Sequence, residues 1–176
     1  MDAICMLDAT DPAGFRAALG RFASGVVVIS GLDEQLPVGM TCQSFSSLSL
    51  DPPLVLFSAA RTSTSFPKLR QASEGGRGGG WGVNVLAHDQ DQLSAQLARS
   101  GTDKWRDVRW TPGGNGAPRI TGAAMWCEGD IVAVHDGGDH FIVVVRVTSL
   151  ATSAPPRPPL IYHDGEYARL QRRKES

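Results

Sequence analysis

Short apolar runs rich in Val and Ile cluster along this chain instead of alternating with helices, and that order constrains its fold more than any other feature. Val26-Val27-Val28-Ile29, Leu54-Val55-Leu56-Phe57 and Val83-Asn84-Val85-Leu86 each read as a strand. Asp51-Pro52-Pro53 forbids a helix and forces an extended entry into Leu54. Two longer β-type runs, 123–134 and 140–150, are joined by residues 135–139, a hairpin signal. A stiff proline-rich linker over 155–159 leads to a last short strand at 160–163, and Asp164-Gly165 turns the chain back. A parallel doubly wound sheet would need a helix between successive strands. The pattern instead predicts a mainly β fold, a mostly antiparallel barrel with peripheral helices. It holds about seven strands and two or three short helices.

The helices are placed by their caps and spacing. Asp11 caps a predicted amphipathic helix over 11–24, Pro12 suits its first turn, Phe15, Leu19 and Phe22 share one face, and Gly25 stops it. Residues 31–35 read as a turn into a partner strand over 38–43. A second short helix is expected over 62–72, interrupted or started late by Pro67, and a third over 90–99 with Leu93 and Leu97 inward. Residues 110–118 read as a loop, and Glu74-Gly75-Gly76-Arg77-Gly78-Gly79-Gly80 as a low-complexity, mobile one. One domain over 1–170 and a polar tail over 171–176 are expected, with no internal repeat.

Composition removes several function classes. The 176 residues are 41% hydrophobic and 20% charged, with net charge −1 from 17 basic and 18 acidic side chains. Nucleic-acid binding needs a clustered basic footprint, and only Arg172-Arg173-Lys174 in the tail offers one. The three cysteines, Cys5, Cys42 and Cys127, have no metal-like spacing and read as free thiols in a reducing compartment. The apolar runs are too short to span a bilayer, and the N-terminus lacks the pattern of a signal peptide. A cytoplasmic protein without membrane partners is expected. No GxGxxG, P-loop, GxSxG or HExxH pattern occurs, so nucleophilic hydrolysis and zinc chemistry have no support.

Two phrases carry chemistry. Gly39-Met40-Thr41-Cys42-Gln43-Ser44-Phe45-Ser46-Ser47 sets a hydroxyl- and amide-rich turn against an apolar strand. Such a turn either holds a phosphate on oriented N–H groups or merely caps two strands. Gly138-Asp139-His140 ends a loop where Asp139 can orient the His140 ring, or leaves a solvated hairpin histidine. Arg61-Thr62-Ser63-Thr64-Ser65 reads as an anion site at a helix start or as simple N-capping. Asn84, inside an apolar strand, must find partners at a cofactor edge or at a loop backbone. The four tryptophans read as core or interface residues.

In order along the chain, these phrases resemble the flavin reductase-like family, the small reductase components of two-component flavin-dependent monooxygenases. The matching stretches include Phe15-Arg16-Ala17-Ala18-Leu19-Gly20-Arg21-Phe22-Ala23-Ser24-Gly25-Val26, Gly39-Met40-Thr41 through Pro52-Pro53-Leu54-Val55, and Val83-Asn84-Val85-Leu86-Ala87 with Asp89-Gln90. Asp103-Lys104-Trp105, Gly138-Asp139-His140, Arg146-Val147 and Pro159-Leu160-Ile161-Tyr162-His163 complete a series running from about Phe15 to Leu170.

The resemblance implies a split β-barrel flavin-binding fold, a Greek-key-like antiparallel barrel, as a homodimer with the flavin near the subunit interface. It implies hydride transfer from NADH or NADPH to FMN or FAD, with reduced flavin diffusing to a partner monooxygenase. Carried over, Thr41, Gln43, Ser44 and Ser46 sit at the flavin, and Ser58, Thr64 and Ser65 lie toward its phosphate. Asn84, Val85 and Leu86 follow the ribityl chain or ring edge. His140, with Tyr162, lies on the nicotinamide side, as the one residue assigned to catalysis. A non-catalytic flavin-binding or electron-transfer module of the same fold is the alternative, and a barrel that binds some other ligand the more distant one.

Overall fold

The computed structural model describes residues 4–74, 80–101 and 103–170. The predicted glycine-rich loop, apart from its ends, and the polar tail lie outside the described residues. Twelve strands and three helices occur among those described. They are α1 (Pro12–Leu19), β1 (Ser24–Gly25), β2 (Val27–Asp33), β3 (Leu36–Cys42), β4 (Ser46–Leu50), β5 (Pro53–Ala60), α2 (Phe66–Glu74) and β6 (Trp81–Val85). There follow α3 (Asp91–Ala98), β7 (Trp110–Pro112), β8 (Pro118–Ile120), β9 (Met125–Gly137), β10 (His140–Thr152), β11 (Ile161–His163) and β12 (Glu166–Ala168).

Seven strands form one sheet in the order β3-β2-β6-β9-β10-β5-β4, and every pairing in it is antiparallel. The predicted antiparallel barrel is therefore present. The long β9–β10 hairpin is its spine, with register shifts at Val144/Val145 and Val147/Ser149 that bend it. Gly129 sits where the hairpin is tightest: a Cβ there would come 2.2 Å from the Arg146 carbonyl oxygen.

The continuous apolar run at β2 is explained by burial on both faces. Val27 and Ile29 point into the barrel with Phe57, Trp81, Val143 and Val145. Val26 and Val28 point outward into a second cluster with Leu86, Leu97, Trp105, Ile120 and Leu160. Helix α2 closes one end of the barrel: Phe66 stacks on Phe141 at 5.5 Å and meets Trp81 edge-on at 6.1 Å. Each such fully buried large side chain contributes about 1.5–3 kcal/mol relative to exposure.

Several local expectations need correction. Helix α1 ends at Leu19 and is closed by Gly20, whose N–H reaches the Arg16 carbonyl; residues 24–25 are already a strand against β11. None of its residues is buried, so Phe15, Leu19 and Phe22 face solvent in the monomer. The hairpin after β2 turns later than expected, at Glu34-Gln35, both at positive φ. Residues 46–50, expected as turn, pair with β5 as β4, because alternate positions of the serine-rich phrase lie along a sheet edge. Residues 110–118, expected as loop, hold β7 and the start of β8, which pair as a small hairpin. Trp81, Trp105 and Trp126 are buried and Trp110 is half-buried.

Candidate active site

Strands β3 and β4 are the free edges of the seven-stranded sheet, and the three residues joining them, Gln43-Ser44-Phe45, cross the gap where the barrel splits. Ser44 closes that gap. The Ser58 amide of β5 donates to its hydroxyl at 2.8 Å, and the hydroxyl donates to the Ser58 carbonyl at 3.3 Å. Beside it, the Cys42 thiol lies 2.9 Å from the Ser44 hydroxyl. Burial raises the Cys42 pKa, opposed by the Ser44 hydrogen bond, so the thiol stays protonated.

An open cavity of about 560 Å³ lies against this junction. Thr41, Gln43, Ser44, Ser58, Thr64, His140 and Tyr162 all line it. These are seven of the twelve sequence-predicted site residues, brought from β3, β5, β10, β11 and the loops beside them. Thr41 donates to the Ser94 carbonyl of α3 at 3.0 Å, and Tyr167 donates to the Ser94 hydroxyl at 2.9 Å. Helix α3 and the C-terminal strands thereby wall one side, and the Tyr162 and Tyr167 rings meet edge-on at 5.5 Å.

His140 opens β10 in register with Ala60 of β5 and Gly137 of β9, at the mouth of the cavity. Its Nδ1 lies 2.7 Å from Asp139 Oδ1. That hydrogen bond to His140 is the main cause holding the Asp139 carboxyl below its ordinary value. Arg61 fixes the hairpin tip: its Nε donates to the Gly138 carbonyl at 2.9 Å, its guanidinium pairs with Asp136, and it covers the Phe141 ring. Arg61 is thus committed to the hairpin through Nε and one terminal nitrogen. Ser63 caps α2, accepting from the Phe66 amide at 3.1 Å, while Thr62, Ser63 and Thr64 still line the cavity.

Five predicted residues stand elsewhere. Ser46 is exposed on β4, its hydroxyl donating to the Ser47 carbonyl. Ser65 is buried behind the cavity and accepts from Lys104 Nζ at 3.3 Å. Asn84 is fully buried; its amide nitrogen donates to Ser30 Oγ at 3.0 Å and the Pro118 carbonyl at 3.2 Å, and its oxygen accepts from the Ile120 amide at 2.7 Å. The loop-backbone reading of Asn84 holds, and no polar group of its side chain is left for a cofactor. Val85 packs on the barrel core, and Leu86 is fully buried with its N–H and carbonyl spent on Val26 and Leu160.

Lys104, Ser94 and Tyr167 belong to the cavity and were missed. Lys104 stood inside a quoted phrase, but a lone lysine after an aspartate carries no local signal. Ser94 lies mid-helix, and only the packing of α3 against β3 brings it there.

The lining suits a phosphorylated planar ligand. Hydroxyls and the β3–β4 junction lie at one end, tyrosine rings and Met40 offer flat apolar surface, and a cation stands beside the N-terminus of α2. These residues fit a flavin mononucleotide moiety.

The chain matches the description "Flavin reductase like domain" over residues 19–171. It is 38% identical over 170 residues to the reductase subunit HsaB of a flavin-dependent monooxygenase from Rhodococcus jostii, covering 97% of this chain and 84% of that protein. It is 39% identical over 158 residues to the FMN reductase (NADH) SmoA of Agrobacterium fabrum, covering 90% and 86%. Among solved structures it resembles the NADH:FAD oxidoreductase SgcE6 of Streptomyces globisporus, in complex with NAD and FAD fragments. The TM-score is 0.88 at 29% identity, over 98% of this chain and 100% of that one.

Proposed function

The chain belongs to the flavin reductase-like family, and from that premise we propose that it is an NAD(P)H-dependent flavin reductase serving a partner monooxygenase. The single observation that carries this reading is the cavity at the split of the barrel, which collects seven of the predicted residues around one volume. Relatives named as a monooxygenase reductase subunit and as an NADH-dependent FMN reductase support it.

A bound flavin would supply the chemistry, as the acceptor at N5 of a hydride from nicotinamide C4, which leaves orientation and exclusion of water to the protein. Thr41, Gln43, Ser44 and Ser58 offer hydroxyl, amide and backbone groups to the polar edge of the ring. Thr64, with Lys104 beside it, takes the phosphate end. His140, oriented by Asp139, positions the nicotinamide from the cavity mouth, with Tyr162 as the adjoining face. Cys42 has no part as a nucleophile, because burial keeps it a thiol.

The functional unit in this reading is one domain over 1–170, acting in the cytoplasm as a homodimer. Helix α1 supports the dimer. It has eight residues and buries none of them, although Phe15, Leu19 and Phe22 lie exposed on it and just beyond it. Isolated helices this short are marginal in water, so packing against a second copy accounts for its persistence. Among the described residues, no helix is long and apolar enough to cross a membrane.

The test is oxidation of NADH or NADPH by the purified protein with added FMN or FAD. Flavin-dependent oxidation with at least one donor is expected. Its absence with both donors would overturn the reading, and tight flavin binding without turnover would favour the non-catalytic module.

A further inference from the structure

At the opposite end of the β9–β10 hairpin from His140 lies another cavity, of about 800 Å³. Among the described residues it shares no lining side chain with the cavity proposed for the flavin. Its size falls within the about 300–1,000 Å³ usual for ligand sites. We propose that it is a separate binding site for a small organic monocarboxylate with an apolar ring. The proposal does not rest on the flavin reductase reading.

The frame of the cavity is fixed before any ligand arrives. Met125 pairs with Thr152 and Trp126 with Ala151 where β9 begins and β10 ends. The turn after β8 is pinned on both sides: the Thr121 amide donates to the Arg109 carbonyl at 2.9 Å, and Gln90 Nε2 donates to the Thr121 carbonyl at 3.1 Å. The segment after β10 is pinned too. The Ser153 amide donates to the Ala124 carbonyl at 3.0 Å, and the Ser153 hydroxyl accepts from the Arg157 amide at 2.8 Å.

The charge in this frame selects the ligand. Arg119 and Arg157 are the charged side chains of the lining. Arg157 pairs with Asp89, which neutralises it. Gly122, at a φ of +81°, lets the turn adopt a conformation strained for other residues, and its bare Cα leaves room for the Arg157 guanidinium. Arg119 is different. Its Cζ lies 4.5 Å from the centre of the Trp126 ring, and among the described residues its guanidinium has no carboxylate and no hydrogen-bond acceptor. The ring contact engages the face of the guanidinium and leaves its in-plane N–H fork, whose geometry matches a carboxylate. The surplus is one positive charge, so one negative charge on the ligand completes it. Ile120, Met125, Ala151 and Pro155 stand beside it as apolar wall. A simple inorganic anion would leave that wall wet, and a neutral ring would leave the fork unused. A ring bearing one carboxylate satisfies both.

Titration calorimetry with 2-naphthoate tests this, beside acetate, which lacks the ring, and 2-naphthalenemethanol, which lacks the charge. One 2-naphthoate per chain is expected, bound at least ten-fold more tightly than either comparison compound, and inorganic phosphate should not displace it. Arg119→Met keeps an apolar stem over Trp126 and removes the charge. It should weaken 2-naphthoate ten-fold or more and leave donor oxidation with added flavin unchanged. Ala151→Trp, at an exposed position, fills the cavity and should weaken 2-naphthoate as much. Binding no tighter than that of acetate, or undiminished in Arg119→Met, would overturn the proposal. So would displacement of 2-naphthoate by FMN, since its site would then be the cavity beside Ser44. A protein that binds 2-naphthoate in this way and oxidises no donor would keep this site and lose only the reductase reading.

Discussion

Ser44 and Ser58 tie the two halves of the split barrel to each other through a single hydroxyl, which accepts from the Ser58 amide and donates to the Ser58 carbonyl. The sheet has β3 and β4 as free edges, and this exchange stands where a closed barrel would continue its ladder. A wall of the cavity proposed for the flavin is therefore also a fastening of the fold. Residue 44 couples the two.

Ser44→Ala should separate these roles by magnitude. The side chain is exposed, so water replaces the lost partner, and the stability cost is about 0.5–1.5 kcal/mol. Flavin affinity should fall further, because the loop carrying Gln43 loses its anchor beside the ring. Thermal unfolding and a flavin titration on the same sample check this. A large fall in Tm with unchanged flavin affinity would show that Ser44 serves the barrel alone.

His140→Ala should slow hydride transfer at least ten-fold and change flavin affinity little, since His140 stands at the mouth of the cavity and not at its hydroxyl-lined end. Rapid-mixing measurement of flavin reduction, beside equilibrium flavin binding, reads the two separately. The pH profile adds a sign. Asp139 is held below its ordinary value of 3.8 by His140, so it is ionised in the folded protein throughout neutral pH. Its contribution is fully present above the ordinary carboxylate value and is lost only as pH falls through its lowered folded value. Asp139 should therefore contribute no inflection of its own to the reduction rate above pH of about 4.

The barrel was legible because β2, β5, β6, β9 and β10 are apolar runs whose order and spacing already exclude a wound parallel sheet. The edge strand β4 was not, because its partner positions are serines and its register depends on β5. The Thr41–Ser44 phrase and His140 were legible as chemistry. Their convergence was not, because residues about a hundred positions apart meet only through the β5–β10 pairing. Asn84 was the instructive misplacement: a polar residue in an apolar strand signals a partner, but not whether that partner is a ligand or the chain. Arg61 failed likewise, since its partners Asp136 and Gly138 come from the distant hairpin.

Asn84→Leu should be among the most destabilising single changes outside the barrel core. It removes the acceptor of the buried Ile120 amide, while the Pro118 carbonyl keeps its hydrogen bond from the Ser30 hydroxyl at 2.8 Å. A buried polar group left unsatisfied costs about 1–3 kcal/mol, so a loss of that size is expected in chemical denaturation. Flavin affinity of the remaining folded fraction should stay near that of the unaltered protein. A selective loss of flavin binding at full stability would return Asn84 to the cofactor site.

Phe22→Glu tests the dimer. Phe22 is 80% exposed in the monomer and follows α1, where Phe15 and Leu19 are exposed too, leaving an apolar face that nothing among the described residues covers. If a second copy covers that face, a carboxylate there must be desolvated without a partner, and the dimer should dissociate. Light scattering coupled to size exclusion should read a dimer for the unaltered protein and a monomer for the variant. A dimer that survives Phe22→Glu would place the subunit contact on another face, and a monomeric unaltered protein with full activity would remove the dimer from the mechanism altogether.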